Sequence, residues 1–222
     1  MRTRCDEAHW TFPRCGYTMH AMTTPLQKGV FLIAGPGLYD PNFRQSVVLL
    51  CEHNDRGSMG LVINRPTELV LTEAVHQLAG TEGDDVIYSG GPVQPDHLLV
   101  LIRSVCEPPS SHHVFGDVYL GTDLPTLKAL VLHQGVPDAP SDAADPTGSG
   151  LRDAVFRGYA GYAGWASGQL DSELATDSWL VVPADSTWIF DSDPTIVWPE
   201  LMRALGPRHA FYATMPRDPN LN

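Results

Sequence analysis

Apolar positions in this chain fall in short blocks of strand length, set apart by glycine, proline, asparagine and aspartate. Val30–Ala34, stopped by Gly35-Pro36-Gly37, predicts a buried strand. Val47–Cys51 and Gly60–Ile63 predict two more, and the turn residues Asn54-Asp55-Arg56-Gly57 between them make the pair a hairpin. Val86–Tyr88 and Leu98–Ile102 follow, separated by Gly90-Gly91-Pro92-Val93, where a proline without an N–H excludes a continuous central strand. Val114–Leu120 reads as one strand and Arg152–Trp165 as a long one with a glycine-permitted distortion. Trp179–Val182 and Trp188–Phe190 read as the last two.

Helical spacing interrupts these blocks. Leu71, Val75, Leu78 and Ala79 share one helical face, and Gly80 can end that helix. Asp123 can cap a helix through Leu127, Leu130 and Val131, and Gln169–Thr176 forms a short one with Leu170 and Leu174 a turn apart. The best-punctuated helix starts with Asp193 and Pro194, carries Val197, Leu201 and Leu205 at four-residue spacing, and stops at Gly206-Pro207. Strands and helices mix without a βαβ rhythm, which predicts an α+β fold with a mixed, largely antiparallel sheet. Residues 135–150 have no hydrophobic period and are expected to be a mobile loop within a single domain spanning 28–222. Residues 1–27 are expected to be a flexible extension, or to reflect a start codon read too early, with methionines also at Met19 and Met22.

Composition narrows the classes. The 222 residues, 43% of them hydrophobic, can bury one sizeable core. No run approaches a membrane span and no apolar secretory segment opens the chain, so a cytoplasmic protein without a membrane is expected. Cys5, Cys15, Cys51 and Cys106 have neither disulfide nor zinc spacing and are expected to be reduced thiols. The net charge of −12 disfavours direct nucleic-acid binding, which needs a basic surface. No basic residue lies between Arg157 and Arg203, a stretch holding Asp171, Glu173, Asp177, Asp185, Asp191, Asp193 and Glu200. That region reads either as a solvated acidic surface or as a docking face for a basic partner.

Motifs for a nucleophile elbow, a phosphate loop, a dinucleotide fold or a zinc helix are absent from the sequence, and no metal or cofactor is expected. Glu52-His53-Asn54 gathers an acid, a base and an amide at a strand end, but neighbours on a strand point to opposite faces. The trio reads as a catalytic or ligand site, or as hairpin hydrogen bonding. Arg44 and Arg65, with Asn64, flank the same hairpin and can hold a carboxylate or phosphate, or pair with the chain's acids. Gly91 and Gln169 complete the candidates, Gln169 being either a helix cap or a pocket residue. His112-His113 read as solvent-facing loop residues, and Asp117 as a turn or edge-strand polar residue in preference to a general base.

Several stretches carry a shared order: GVFLIAGP from Gly29, FRQSVVLLCEHN from Phe43, GLVINRP from Gly60, GGPV from Gly90, GYAGWASGQL from Gly161, Trp179, and the Ala213-to-Asp218 ending. In these the chain resembles the YqgE/AlgH family, also called UPF0301 or DUF179, over about residues 28–222. The resemblance implies an α+β domain whose sheet wraps into a small barrel-like core flanked by helices. It implies no established chemistry, although members are described as transcriptional regulators. Two departures affect local geometry: Gly158-Tyr159-Ala160-Gly161 precedes the usual GYAGW as an insertion or bulge, and the 135–150 loop is long. The expectation is a non-enzymatic protein binding an as yet unknown protein or small ligand. The alternative is an enzyme with a site near Glu52, His53 and Arg65. The aromatic run through Tyr159, Tyr162 and Trp165 reads as packing.

Overall fold

The computed structural model describes residues 24–75, 85–134, 151 and 153–216. The expected loop at 135–150 and all but the last four residues of the expected extension lie outside them. Leu26, within those four, packs against the core.

The strands are β1 (Val30–Ala34), β2 (Val47–Asn54), β3 (Gly57–Val62), β4 (Pro66–Val70), β5 (Val86–Ser89), β6 (Val93–Arg103), β7 (Ser111–Phe115), β8 (Val118–Gly121), β9 (Val155–Ala166) and β10 (Trp179–Pro183). The helices are α1 (Leu71–Ala74), α2 (Leu124–Gln134), α3 (Gln169–Ala175), α4 (Ser186–Phe190), α5 (Pro194–Ala204) and α6 (Pro207–Ala210). The main path runs β10-β1-β2-β3-β9-β6-β8-β7, with β4 beside β5 and β5 beside β9. Among the described residues every pairing is antiparallel except β5 with β9. The sheet curls into a half-barrel. Its far strand returns to its start, where Lys28 Nζ donates to the His113 carbonyl at 3.0 Å and a Cβ on Gly29 would stand 2.7 Å from Phe115 Cβ.

Alternation along β6 divides the interior in two. Leu99 and Leu101 face the main core with Leu32, Leu49, Leu61 and Tyr159, and α5 covers that core with Val197, Trp198, Leu201 and Met202. Val100 and Ile102 face the other way, onto Leu71, Phe156 and the apolar side of α2. The Trp198 indole donates to the Ala34 carbonyl at 2.9 Å, which fixes α5 on β1.

β9 is the pivot. Its first half pairs with β6 and its last half with β3. Between them Gly161 takes φ +71°, and a Cβ there would lie 2.5 Å from the Gly91 carbonyl oxygen. Gly91, at φ +151°, would drive a Cβ into the Tyr162–Ala163 peptide. The Gly90-Gly91 turn and the Gly161 bend therefore cross backbone on backbone, with the Gly90 N–H donating to the Ala160 carbonyl at 2.9 Å.

Three expectations change. Trp188–Phe190 belongs to helix α4, because the Asp185 carboxylate accepts the Thr187 N–H at 2.9 Å and caps it, and so short an apolar run has no period of its own. Val114–Leu120 is a hairpin, since Gly116 at φ +49° turns β7 into β8 with Asp117 in the turn. The helix from Leu71 ends at Ala74, where Val75 is extended; Leu78, Ala79 and Gly80 lie outside the described residues.

Candidate functional site

Side chains on the β2–β3 hairpin alternate, and a concavity lies on either side of it. The larger is an open groove of about 830 Å³ at the mouth of the half-barrel. It exists because β6 leaves β9 for four residues: Val93 pairs with Tyr162 and Leu98 with Ala160, while Gln94–His97 swing outward. Gln94 at φ +48° and Pro95, which has no N–H, suit that excursion. Met59, Leu99, Tyr162, Gly164 and Trp165 give the groove apolar surface, and Glu52, Arg56, His97 and Thr122 add polar groups.

The ionisable side chains of this groove are not committed to the fold. Among the described residues, Glu52, Arg56 and His97 side chains take part in no hydrogen bond or ion pair. Cys51, one residue from Glu52, faces inward and is 3% exposed. Burial, reinforced by the Glu52 charge, pushes its thiol far above the ordinary range, so it is a neutral core residue and no nucleophile.

His53 points to the second concavity, of about 430 Å³, which Asp55, Ser58, Ser167 and Asp171 also line. Its Nδ1 lies 2.8 Å from Ser58 Oγ across the hairpin. Glu52 and His53 thus serve separate hollows, as strand alternation requires.

Arg44, Asn64 and Arg65 lie at the opposite end of β2. The Asn64 amide oxygen accepts the Val47 N–H at 2.9 Å and its nitrogen donates to the Gln45 carbonyl at 3.0 Å. Arg65 donates to the carbonyls of Pro41 and Arg44 at 2.9 and 3.0 Å, and Arg44 to that of Pro216 at 3.2 Å. These residues hold the 40–46 segment and the chain after α6 against the sheet. Gly91 sits in the backbone crossing.

Gln169 bonds locally without capping α3, whose N-cap is Gly168: its Oε1 accepts the Ala166 N–H at the end of β9 at 3.0 Å and its Nε2 donates to Glu173 at 2.9 Å. The other Glu173 oxygen accepts the indole N–H groups of Trp165 and Trp179, at 2.9 and 2.8 Å. Phe43 stacks on Trp165 and meets Trp179 edge-on. One carboxylate therefore pins α3 to β9 and β10. In the sequence Glu173 stands only as one acid of the stretch between Arg157 and Arg203; its place one helical turn after Gln169 is the signal of this role.

A third polar cluster ties α4 to β6 and β9. Arg103 makes a two-pronged ion pair with Asp191 at 2.6 and 2.8 Å, and Arg157 lies 4.8 Å over the Tyr88 ring. The Arg103 hydrogen bonds hold the Asp191 carboxyl below its usual range. No group of three metal-ligating side chains occurs among the described residues, and no helix among them is long and apolar enough to cross a membrane.

Residues 31–210 match the family described as DUF179, AlgH-like. A UPF0301 protein of Chlorobaculum tepidum is 32% identical over 89% of this chain and 96% of its own length. One from Bordetella pertussis is 38% identical over 79% of this chain and 81% of its own. The solution structure of the AlgH protein from Pseudomonas aeruginosa superposes with a TM-score of 0.62 at 34% identity, over 89% of this chain and 98% of that one. A crystal structure of a Corynebacterium diphtheriae protein shares the fold at 20% identity, with a TM-score of 0.66 over 86% of this chain and 94% of that one.

Proposed function

The chain belongs to the AlgH-like family, and from that premise we propose that it is a cytoplasmic, non-enzymatic protein that binds a small ligand or a protein partner in the groove between the β2–β3 hairpin and β6. One observation carries the reading: Glu52, Arg56 and His97 surround apolar surface without partners of their own among the described residues. Apolar area with a few convergent polar groups is the usual make-up of a binding cleft. A regulatory effect follows if occupancy changes which partner the protein meets. The acidic surface supports a partner other than nucleic acid.

A thermal-shift panel of metabolites and short peptides, run on the full chain and on Arg56→Glu, tests this. Binding in the groove predicts a ligand that raises Tm of the unaltered protein and loses that effect in the variant. Ligands that stabilise both equally, or a panel with no effect at all, contradict it.

The His53–Ser58 hydrogen bond favours a second reading, a serine nucleophile with an adjacent base in the smaller hollow. Labelling by a fluorophosphonate probe, lost in Ser58→Ala and His53→Ala, supports that reading. An unlabelled protein removes it.

A further inference from the structure

A strand with a neighbour on only one side presents a row of unpaired N–H and C=O groups, which a second polypeptide can extend. β9 has such a stretch at the groove. On one side β3 accompanies it from Ala163 to Ala166. On the other side β6 begins only at Val93, opposite Tyr162, because the Gly90-Gly91 turn brings the chain across β9 there. Among the described residues no strand lies beside the last part of β9 on that side, and Gly164 and Ala166 are exposed.

Alternation tells which way the peptide groups point. A Cβ on Gly57 would strike the Trp165 carbonyl oxygen, so that carbonyl faces β3. Gly164 and Ala166, on either side of Trp165, therefore turn their N–H and C=O groups the opposite way, to the vacant side. Gln169 Oε1 already takes the Ala166 N–H. Both Gly164 groups and the Ala166 carbonyl remain open, with no turn, loop or side-chain partner among the described residues.

The register sets what an added strand would bring. Glu52, Met59 and Gly164 form one cross-strand row, and Asn54, Gly57 and Ala166 form the next. Gly164 offers no side chain of its own, so a residue set opposite it meets open space beside Met59, Tyr162 and Val93, which suits a bulky apolar group. The row through Ala166 ends at the hairpin turn carrying Arg56, whose guanidinium has no partner among the described residues and favours a carboxylate. A strand prolonging the line of β6 runs antiparallel to β9, so its acidic residue precedes its apolar one by two places. The groove is open to solvent, whereas a small-molecule site encloses most of its ligand.

We infer that the groove receives an extended segment of a partner protein, added as an antiparallel strand to β9 at Gly164 and Ala166, with an apolar residue opposite Gly164 and an acidic one opposite Ala166. The inference rests on the groove being the binding site and names its occupant.

Amide chemical-shift mapping on the full chain tests it with two capped peptides of one composition, acetyl-Val-Thr-Glu-Thr-Leu-amide and acetyl-Val-Thr-Leu-Thr-Glu-amide. The first is expected to move the Gly164 and Ala166 amides saturably, and the second to bind more weakly by about threefold or more, the scale of an exposed ion pair. N-methylation of the leucine in the first removes the donor to the Gly164 carbonyl, keeps every side chain, and should weaken binding by about tenfold. Arg56→Glu should remove the preference between the two orders. Unchanged binding after N-methylation overturns strand addition, and equal binding of the two orders overturns the assigned residue pair; in both cases groove shifts persist and the broader binding reading survives. Shifts confined to other surfaces, or none from either peptide, also overturn the inference, while the thermal-shift panel tests the groove separately. The peptide comparisons need no variant of the protein, so they decide even if Arg56→Glu folds poorly.

Discussion

The two ends of the β2–β3 hairpin treat their polar side chains differently. At one end Asn64 is 4% exposed and its amide is bonded on both sides, to the Val47 N–H and the Gln45 carbonyl. Arg65 and Arg44 add hydrogen bonds to three more carbonyls. At the other end Glu52 and Arg56 stand exposed on a groove, with no partner among the described residues. Both ends carry the residue types that sites are made of. A buried polar group must be hydrogen-bonded or it destabilises the fold, whereas an exposed one can wait for a ligand. Satisfaction by backbone carbonyls is therefore the mark of a structural role here, and its absence beside apolar surface the mark of availability.

The strongest way to break this comparison is Asn64→Ala. It strands the buried Val47 N–H and the part-buried Gln45 carbonyl, and is expected to cost about 3 kcal/mol, roughly 6–12 °C in Tm. An effect under about 1 kcal/mol in urea unfolding would remove the structural label from that end.

Glu173→Ala sharpens the contrast from the neighbouring cluster. Two indole N–H groups lose their shared acceptor, for an expected loss of about 2 kcal/mol. The accompanying change in Trp165 and Trp179 fluorescence separates this local loosening of α3 from a distant effect.

A smaller effect concerns pH. The Asp191 carboxyl is lowered by its hydrogen bonds and charge pairing with Arg103. Its stabilisation is then present above the ordinary Asp value of about 3.9 and is lost as pH falls through that value towards the folded one. The pair is partly exposed, Asp191 by half, so the contribution is under about 1 kcal/mol. Arg103→Met should flatten the acid limb of a Tm-against-pH curve while leaving the neutral region nearly level; an unchanged acid limb argues against the pairing.

Much of the scaffold was legible in the sequence. Val30–Ala34 and Val47–Cys51 are blocks whose every residue is buried, and the Asp193-Pro194 start of α5 was written in its cap, with the Asp193 carboxylate accepting the Thr195 N–H at 2.8 Å. The ordered motifs pointed to the family because they encode shared geometry. GGPV and the glycines before Trp165 meet in one backbone crossing that no spacing rule reveals. The short Trp188–Phe190 run could not declare its helix, since three apolar residues have no period.

The groove was the least legible feature. Its charged residues come from the hairpin and from the β6 excursion, 41 to 45 residues apart in the numbering, and of the three only Glu52 is a candidate by sequence. Arg56 in a turn looks like any solvated charge, and His97 follows Pro95 in a segment where a regular strand was not expected. Asn64 and Arg65 were recognised as chemically capable, but sequence alone could not show that backbone carbonyls already held them.

Urea unfolding of the combined variant Glu52→Gln, Arg56→Gln, His97→Gln tests the division most directly. The account predicts an unfolding free energy within about 0.5 kcal/mol of the unaltered protein, as for surface changes away from any structural contact, with an unchanged m-value. A loss of about 2 kcal/mol or more would show that these three side chains serve the fold after all, and would contradict the assignment of the groove to binding.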